Sequence, residues 1–223
     1  MKIVAVIPAY NEEPVVGSVV LAARPFVSEV VVINDGSNDR TAERALEAGA
    51  VVYTHVINRG LGASLATGIA AALNRGADVL VTLDADGQHD PAEIPKFVEA
   101  IESRGVDAVI GSRLLASKEH MPLRRRLYNY VGNVLTYLLF GIWTTDSQSG
   151  FRAFSRTGAK RLELRTNRME VSSEFLKEIH DKRIAFCEIP CSVRYTDYSM
   201  AKGNNFFVGV ATAGKLILRR LMS

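Results

Sequence analysis

Short apolar runs alternate along the 223-residue chain with segments whose apolar residues recur at helical spacing. Residues 3–7, Ile-Val-Ala-Val-Ile, read as a strand stopped by Pro8-Ala9-Tyr10-Asn11-Glu12-Glu13. Val15, Val16, Val19 and Val20 predict a helix over 13–23. A second strand over 29–34 closes on Asp35-Gly36-Ser37-Asn38-Asp39, and a helix over 40–48 leads to a third strand at 50–56. Asn58-Arg59-Gly60-Leu61-Gly62 is a glycine-rich turn into a small-residue helix that runs to about Arg75. Val79-Leu80-Val81-Thr82-Leu83 reads as a buried strand, 94–104 as a helix, and 108–110 as a strand leading to Gly111-Ser112-Arg113. Strands alternating with helices predict an α/β fold, a mostly parallel sheet flanked by helices.

In such a sheet, ligands bind outside the carboxyl ends of the strands. The turns predicted to open there are 8–13, 35–39, 58–62, 84–88 and the residue Arg113. The central strand stops at Asp84-Ala85-Asp86-Gly87-Gln88-His89-Asp90-Pro91. Asp84 and Asp86 are two apart, so an extended backbone points both carboxylates to one side. With the Gln88 amide they make a hard oxygen set suited to Mg²⁺ or Mn²⁺, an ion that keeps waters and is completed by substrate phosphates. The plainer alternative makes these acids turn and capping residues, which accounts for Asp90 before Pro91 but leaves two like charges crowded in one turn. Asp35 is either a hydrogen-bond acceptor for a base or ribose or a helix cap. Gly60 and Gly62 would allow backbone to approach a phosphate. Together these turns describe a cleft for a nucleotide diphosphate bridged by a metal.

Charge is uneven. Residues 1–100 hold 7 Lys and Arg against 13 Asp and Glu, and residues 101–223 hold 20 against 11, so a net −6 precedes a net +9. That division fits a cation site in the first half and an anionic partner in the second. It disfavours nucleic acid, for which no motif is present. Cys187 and Cys191 have neither the number nor the spacing of a zinc site and are expected to be reduced packing residues. No signal peptide is evident, so a cytoplasmic location is expected.

The motifs 6–13, 34–41, 58–62 and 84–91 resemble, in collinear order, those of the family 2 glycosyltransferases, and in particular the dolichyl-phosphate mannose synthase branch. Gly111-Ser112-Arg113 and Asp146-Ser147-Gln148-Ser149-Gly150-Phe151-Arg152 extend the likeness over about two-thirds of the chain. The resemblance implies a nucleotide-sugar fold of the GT-A kind, a divalent cation, and inversion at the anomeric carbon. It implies that Pro8, Tyr10, Glu12 and Asp35 line the nucleotide pocket, with Asp84, Asp86 and Gln88 around the metal. Many members carry a lysine where this chain has Leu61, which leaves the basic contact at that turn to Arg59 or to nothing. Arg113 and Arg152 are implied in the acceptor-phosphate site, and 195–203 resembles a loop that closes over the phosphates.

In the second half, 118–126 is basic and 127–145 carries no charge. Tyr128, Tyr130, Tyr137, Phe140 and Trp143 suit a lipid–water boundary, although Asn129, Gly132, Asn133 and Thr136 dilute the stretch. It reads as amphipathic helix lying on a membrane or over the acceptor site, or else as helix packed in the core or a dimer interface. The stretch 206–222 carries the same two readings. The chain is thus expected to be one domain, with a nucleotide-sugar and metal half (1–113) and an acceptor half (114–223). It is expected on the cytoplasmic face of a membrane, either alone, with a membrane-protein partner or as a homo-oligomer. A sugar-hydroxyl acceptor needs a carboxylate base, for which Asp146 stands out unless it orients Arg152. A lipid phosphate arrives ionised and needs cations, for which Arg113, Arg124, Arg152, Arg194 and Lys202 are candidates. The expected activity is transfer of a hexose from a GDP-mannose or UDP-glucose type donor to a polyprenyl phosphate. The alternatives are transfer to a glycan or glycolipid hydroxyl, and nucleotidyl transfer, which normally has a basic Gly-rich loop after the first strand.

Overall fold

The computed structural model of the chain describes residues 1–116, 123–194 and 198, excluding the side chains at 123–125 and 128. Seven strands form one sheet in the order β3-β2-β1-β4-β6-β5-β7. They are β1 (Ile3–Ala9), β2 (Glu29–Asn34), β3 (Val51–Thr54), β4 (Val79–Thr82), β5 (Ala108–Ser112), β6 (Arg152–Ser155) and β7 (Phe186–Pro190). The helices are α1 (Val16–Ala23), α2 (Thr41–Glu47), α3 (Leu61–Asn74), α4 (Ile94–Arg104), α5 (Leu123–Phe140), α6 (Arg156–Arg161) and α7 (Val171–Asp181).

Successive strand residues point to opposite faces, and both faces are covered. Ala5, Ile7, Val30, Val32, Val81 and Val109 pack with Val16 and Val20 of α1 and Phe97 and Ile101 of α4. Val4, Val6, Val31, Ile33, Leu80 and Ile110 pack with Leu65 and Ile69 of α3 and Phe175 and Ile179 of α7. Burial on both faces explains why the strands read as unbroken apolar runs.

Every pairing is parallel except those of β6, which lies antiparallel between β4 and β5. The reversal matters for the site. The carboxyl ends of β1, β2, β4 and β5 and the amino end of β6 share one edge, so Arg152 at the start of β6 lies level with the exits of its neighbours. Its register partners are Thr82 and Ile110. The first five strands and four helices follow the sequence expectation within a few residues, with α1 starting at Val16 rather than at 13. The helix expected within 127–145 begins earlier, inside the basic run, and ends at Phe140.

Candidate active site

Two loops at the β1 and β2 exits are laced together. Asn11, in the left-handed region at φ 52°, accepts from the Asn38 amide at 3.0 Å, and its own N–H reaches Ser37 Oγ at 2.9 Å. The Glu12 amide donates to Thr41 Oγ1 at 2.7 Å, and the Glu13 amide to Asp39 at 3.2 Å. This holds Tyr10, 42% exposed, as an open aromatic surface at the strand exit. Glu12 accepts from the Tyr198 hydroxyl at 2.7 Å.

Asp35 is buried, and its carboxylate is taken up by protein donors. It accepts from the Arg59 and Gly60 amides at 2.9 and 2.7 Å and faces His55 Nδ1 at 2.7 Å. It clamps the glycine turn rather than capping α2, a role filled by Asp39, which accepts from the Thr41 amide at 3.0 Å. The glycine turn departs from its expected use. The Gly62 and Ala63 amides point at the Asn167 carbonyl, at 2.9 and 3.4 Å. A Cβ on Gly60 would collide with the Asn167 carbonyl, and one on Gly62 with that of Thr166. Gly60 and Gly62 therefore let two backbones touch, and the first amides of α3 are consumed by protein, not left open for a phosphate. The Arg59 side chain projects into solvent.

At the β4 exit, Asp84 and Asp86 stand together at the cleft. The Asp86 carboxylate receives the Gln88 backbone amide at 3.0 Å and the Gln88 side-chain amide at 2.7 Å. His89 Nε2 faces Asp84 Oδ2 at 3.3 Å. Burial raises the Asp84 carboxyl, but His89, Arg152 and Arg113 together outweigh it and hold it below the ordinary range. Burial, and then the negative charge of Asp84, push Asp86 the other way. This tension between two carboxylates is what a divalent cation would relieve. The donor set fits such an ion in an open site. Among the described residues no three His, Cys, Asp or Glu side chains form a group that could hold a metal ion. Asp90 caps the short turn that starts at Pro91, accepting from the Ala92 amide at 3.0 Å.

Gly150 forms the opposite wall. A Cβ there would lie 2.6 Å from Asp84 Cγ and closer still to both carboxylate oxygens. The Gly150 carbonyl is fixed by Thr82 Oγ1 at 2.8 Å. This glycine was visible in the sequence only as part of a motif, with nothing to mark its contact.

Asp146 is paired with Arg113, not with Arg152. That carboxylate is fully buried and grips Arg113, with Nε at 2.6 Å on Oδ2, Nη2 at 2.6 Å on Oδ1, and the Arg113 amide at 3.0 Å on Oδ2. It orients Arg113 rather than Arg152, because the β5 exit delivers Arg113 directly onto the 144–147 loop. Both oxygens being engaged by a guanidinium, Asp146 is poorly placed as a proton acceptor. Glu188 of β7 fixes the same loop, accepting from Thr144 Oγ1 at 2.6 Å and from the Thr145 amide at 2.9 Å. Asn133 of α5 pins it from the other side, donating to the Thr145 carbonyl at 2.6 Å and accepting from the Ser147 amide at 2.9 Å. Asn133, one of the polar residues that dilute 127–145, thus serves this loop, while Thr136 faces Ser173 Oγ of α7 at 3.4 Å.

Arg152 is 2% exposed and stacks over the Phe175 ring at 4.7 Å, with its Nε unpartnered. Burial lowers its pKa to about 10, opposed by Asp84 and Asp146, which leaves it charged at neutral pH. Arg194 donates to Asp90 at 2.7 Å, and its amide to the Gln88 carbonyl at 2.8 Å, so it braces the turn that follows β4. Glu170 and Glu174 are buried, and Glu174 holds the Arg165 and Thr166 amides at 2.9 Å each. Lys202, the Arg124 side chain and 206–222 lie outside the described residues, as does most of 195–203. Cys187 and Cys191 are unbridged, and burial pushes the Cys191 thiol up to about 12, in keeping with a packing role.

The sheet order, with its polar strand exits on one edge, is a fold of the GT-A kind. Residues 4–162 match the model of glycosyl transferase family 2, and the chain belongs to that family. It is 40% identical to an uncharacterised protein of Methanocaldococcus jannaschii, over 99% of this chain and 93% of that one. It is 35% identical to a UDP-N-acetylglucosamine–dolichyl-phosphate N-acetylglucosaminyltransferase of Methanococcus voltae, over 97% of this chain and 95% of that one. Its fold is similar to that of glucosyl-3-phosphoglycerate synthase of Mycobacterium tuberculosis, solved with Mn²⁺, UDP and glucosyl-3-phosphoglycerate. The TM-score is 0.77 and the identity 23%, covering 98% of this chain and 79% of that one.

Proposed function

We propose that this glycosyltransferase moves a hexose or related sugar from a nucleotide diphosphate donor to a polyprenyl phosphate, with inversion. The observation that carries this reading is the Arg113–Asp146 pair beside buried Arg152: the acceptor side offers cations, and its central carboxylate is already engaged. A hydroxyl acceptor needs a base, whereas a phosphate needs charge to hold it. The name of the Methanococcus voltae relative supports the same acceptor class, and its donor adds UDP-N-acetylglucosamine to the GDP-mannose and UDP-glucose types.

In this reading Tyr10 stacks on the base, and Pro8, Glu12, Asp35 and Arg59 border the nucleotide. Asp84, Asp86 and Gln88 would hold Mg²⁺ or Mn²⁺, which would supply positive charge to the diphosphate leaving group. Arg113, oriented by Asp146, and Arg152 hold the acceptor phosphate so that its oxygen meets the anomeric carbon from the face opposite the leaving group. The site then develops oxocarbenium character as the bond to the diphosphate lengthens.

The same reading places the enzyme on a membrane surface. No helix among the described residues is long and apolar enough to cross a membrane. Yet Leu127, Tyr130, Val131 and Leu138 recur along one side of α5 and are 47–71% exposed, with Tyr137 and Trp143 beside them in edge contact at 5.9 Å. An apolar outward stripe after a basic run suits an interfacial helix.

Thermal unfolding with UDP, GDP and their sugar conjugates, with and without Mn²⁺, tests the donor half of this reading. One nucleotide class should raise the melting temperature in a Mn²⁺-dependent way. Asp86→Ala should lose that shift and its transfer activity while melting like the parent without ligand. Retention of the Mn²⁺-dependent shift in Asp86→Ala would overturn the metal assignment.

A further inference from the structure

We propose that His89 is the positioning residue for the cation site: its Nε2–H fixes one oxygen of Asp84 so that the other faces the metal. The inference rests on the metal reading above. His89 is 7% exposed, its Nε2 lies 3.3 Å from Asp84 Oδ2, and its Nδ1 has no hydrogen-bond partner among the described residues. That asymmetry identifies the tautomer. A proton on Nδ1 would bury a donor without an acceptor and set a nitrogen lone pair against a carboxylate; a proton on Nε2 turns the same contact into a hydrogen bond.

The ring cannot easily turn away. It leans on Phe151 with centroids 5.1 Å apart, and Phe151 stacks on Phe97 at 4.1 Å. Its backbone bridges to Val193, next to the Arg194 amide that donates to the Gln88 carbonyl at 2.8 Å. On the other side, the Gly150 backbone lies against the Asp84 carboxylate. Asp84 is thus held between a donor on one side and a bare backbone on the other. The nitrogen left without a partner is a cost a purely structural histidine would not need, since an apolar ring would fill the space. Outer-shell partners of metal ligands commonly change affinity by about 10- to 100-fold.

The test uses the full chain, with Mn²⁺ affinity read by electron paramagnetic resonance in saturating UDP or GDP, alongside melting temperature. His89→Phe, which keeps the ring and removes the donor, should weaken Mn²⁺ about tenfold or more while melting no lower than the parent. His89→Gln, whose amide N–H can reach Asp84, should recover most of that affinity. Equal affinity in His89→Phe and the parent, or no recovery in His89→Gln, overturns the proposal. The ¹⁵N spectrum of histidine-labelled protein, with His89 assigned by its loss in His89→Gln, should show the proton on Nε2; a proton on Nδ1 overturns it without reference to metal. Absence of Mn²⁺ binding by the parent overturns the metal reading and the role proposed here, whereas Mn²⁺ binding lost in Asp86→Ala but unchanged in His89→Phe overturns the His89 role alone.

Discussion

Gly150→Ala is expected to bring transfer down by on the order of 10²–10³-fold, the scale of losing a preorganised electrostatic contact, without unfolding the protein. The added methyl would overlap the Asp84 carboxylate, 2.6 Å from its Cγ. Gly150 cannot retreat, because its carbonyl is bonded to Thr82 Oγ1 and the next residue, Phe151, is fully buried. Asp84 must therefore rotate away from Asp86. Overpacking of this kind costs about 1–3 kcal/mol, which a domain of this size tolerates. Mn²⁺ affinity, melting temperature and transfer rate measured together check it. A variant with normal Mn²⁺ affinity and normal rate would show that Asp84 does not need its observed position.

Removing the buried guanidinium has the second large effect, with the opposite sign on metal binding. Arg152→Met keeps the stem that stacks on Phe175 and deletes the charge beside Asp84 and Asp146. Transfer should fall by about 10²–10³-fold, because the positive charge opposite the reacting phosphate is gone. Mn²⁺ should bind as well or more tightly, since Arg152 is one of the positive groups that compete for Asp84. Arg152→Lys should rescue poorly, as an ammonium lacks the flat face that lies on Phe175. Loss of Mn²⁺ affinity in step with activity would assign Arg152 to holding the metal turn instead of the acceptor.

These two residues mark the limit of what the sequence discloses. The strand-exit turns were legible because their chemistry is local: Asp84, Asp86 and Gln88 share five residues, and an apolar run that stops at acids points to a sheet edge. Asp90 as a cap was legible for the same reason. What could not be read is which distant segments meet. Asp146 reads from sequence as a base or as the partner of Arg152, six residues away, but it binds Arg113 across 33 positions because β6 runs antiparallel between β4 and β5. Apolar periodicity reports that a segment is a strand, not its place or direction in the sheet. The glycines of 60–62 misled for a related reason. A glycine shows that some backbone comes close, and only the 166–167 segment, held by Glu174, shows which one. Glu188, Asn133 and His55 support the site through contacts distant in sequence and carry no motif of their own.

The most direct test of the central claim offers the enzyme a labelled nucleotide sugar chosen by the thermal screen, Mn²⁺, and either a polyprenyl phosphate or the corresponding polyprenol. Transfer to the phosphate alone, giving a product of anomeric configuration opposite to the donor, is the predicted result. Transfer to the polyprenol or to a sugar hydroxyl, with none to the phosphate, would contradict the account.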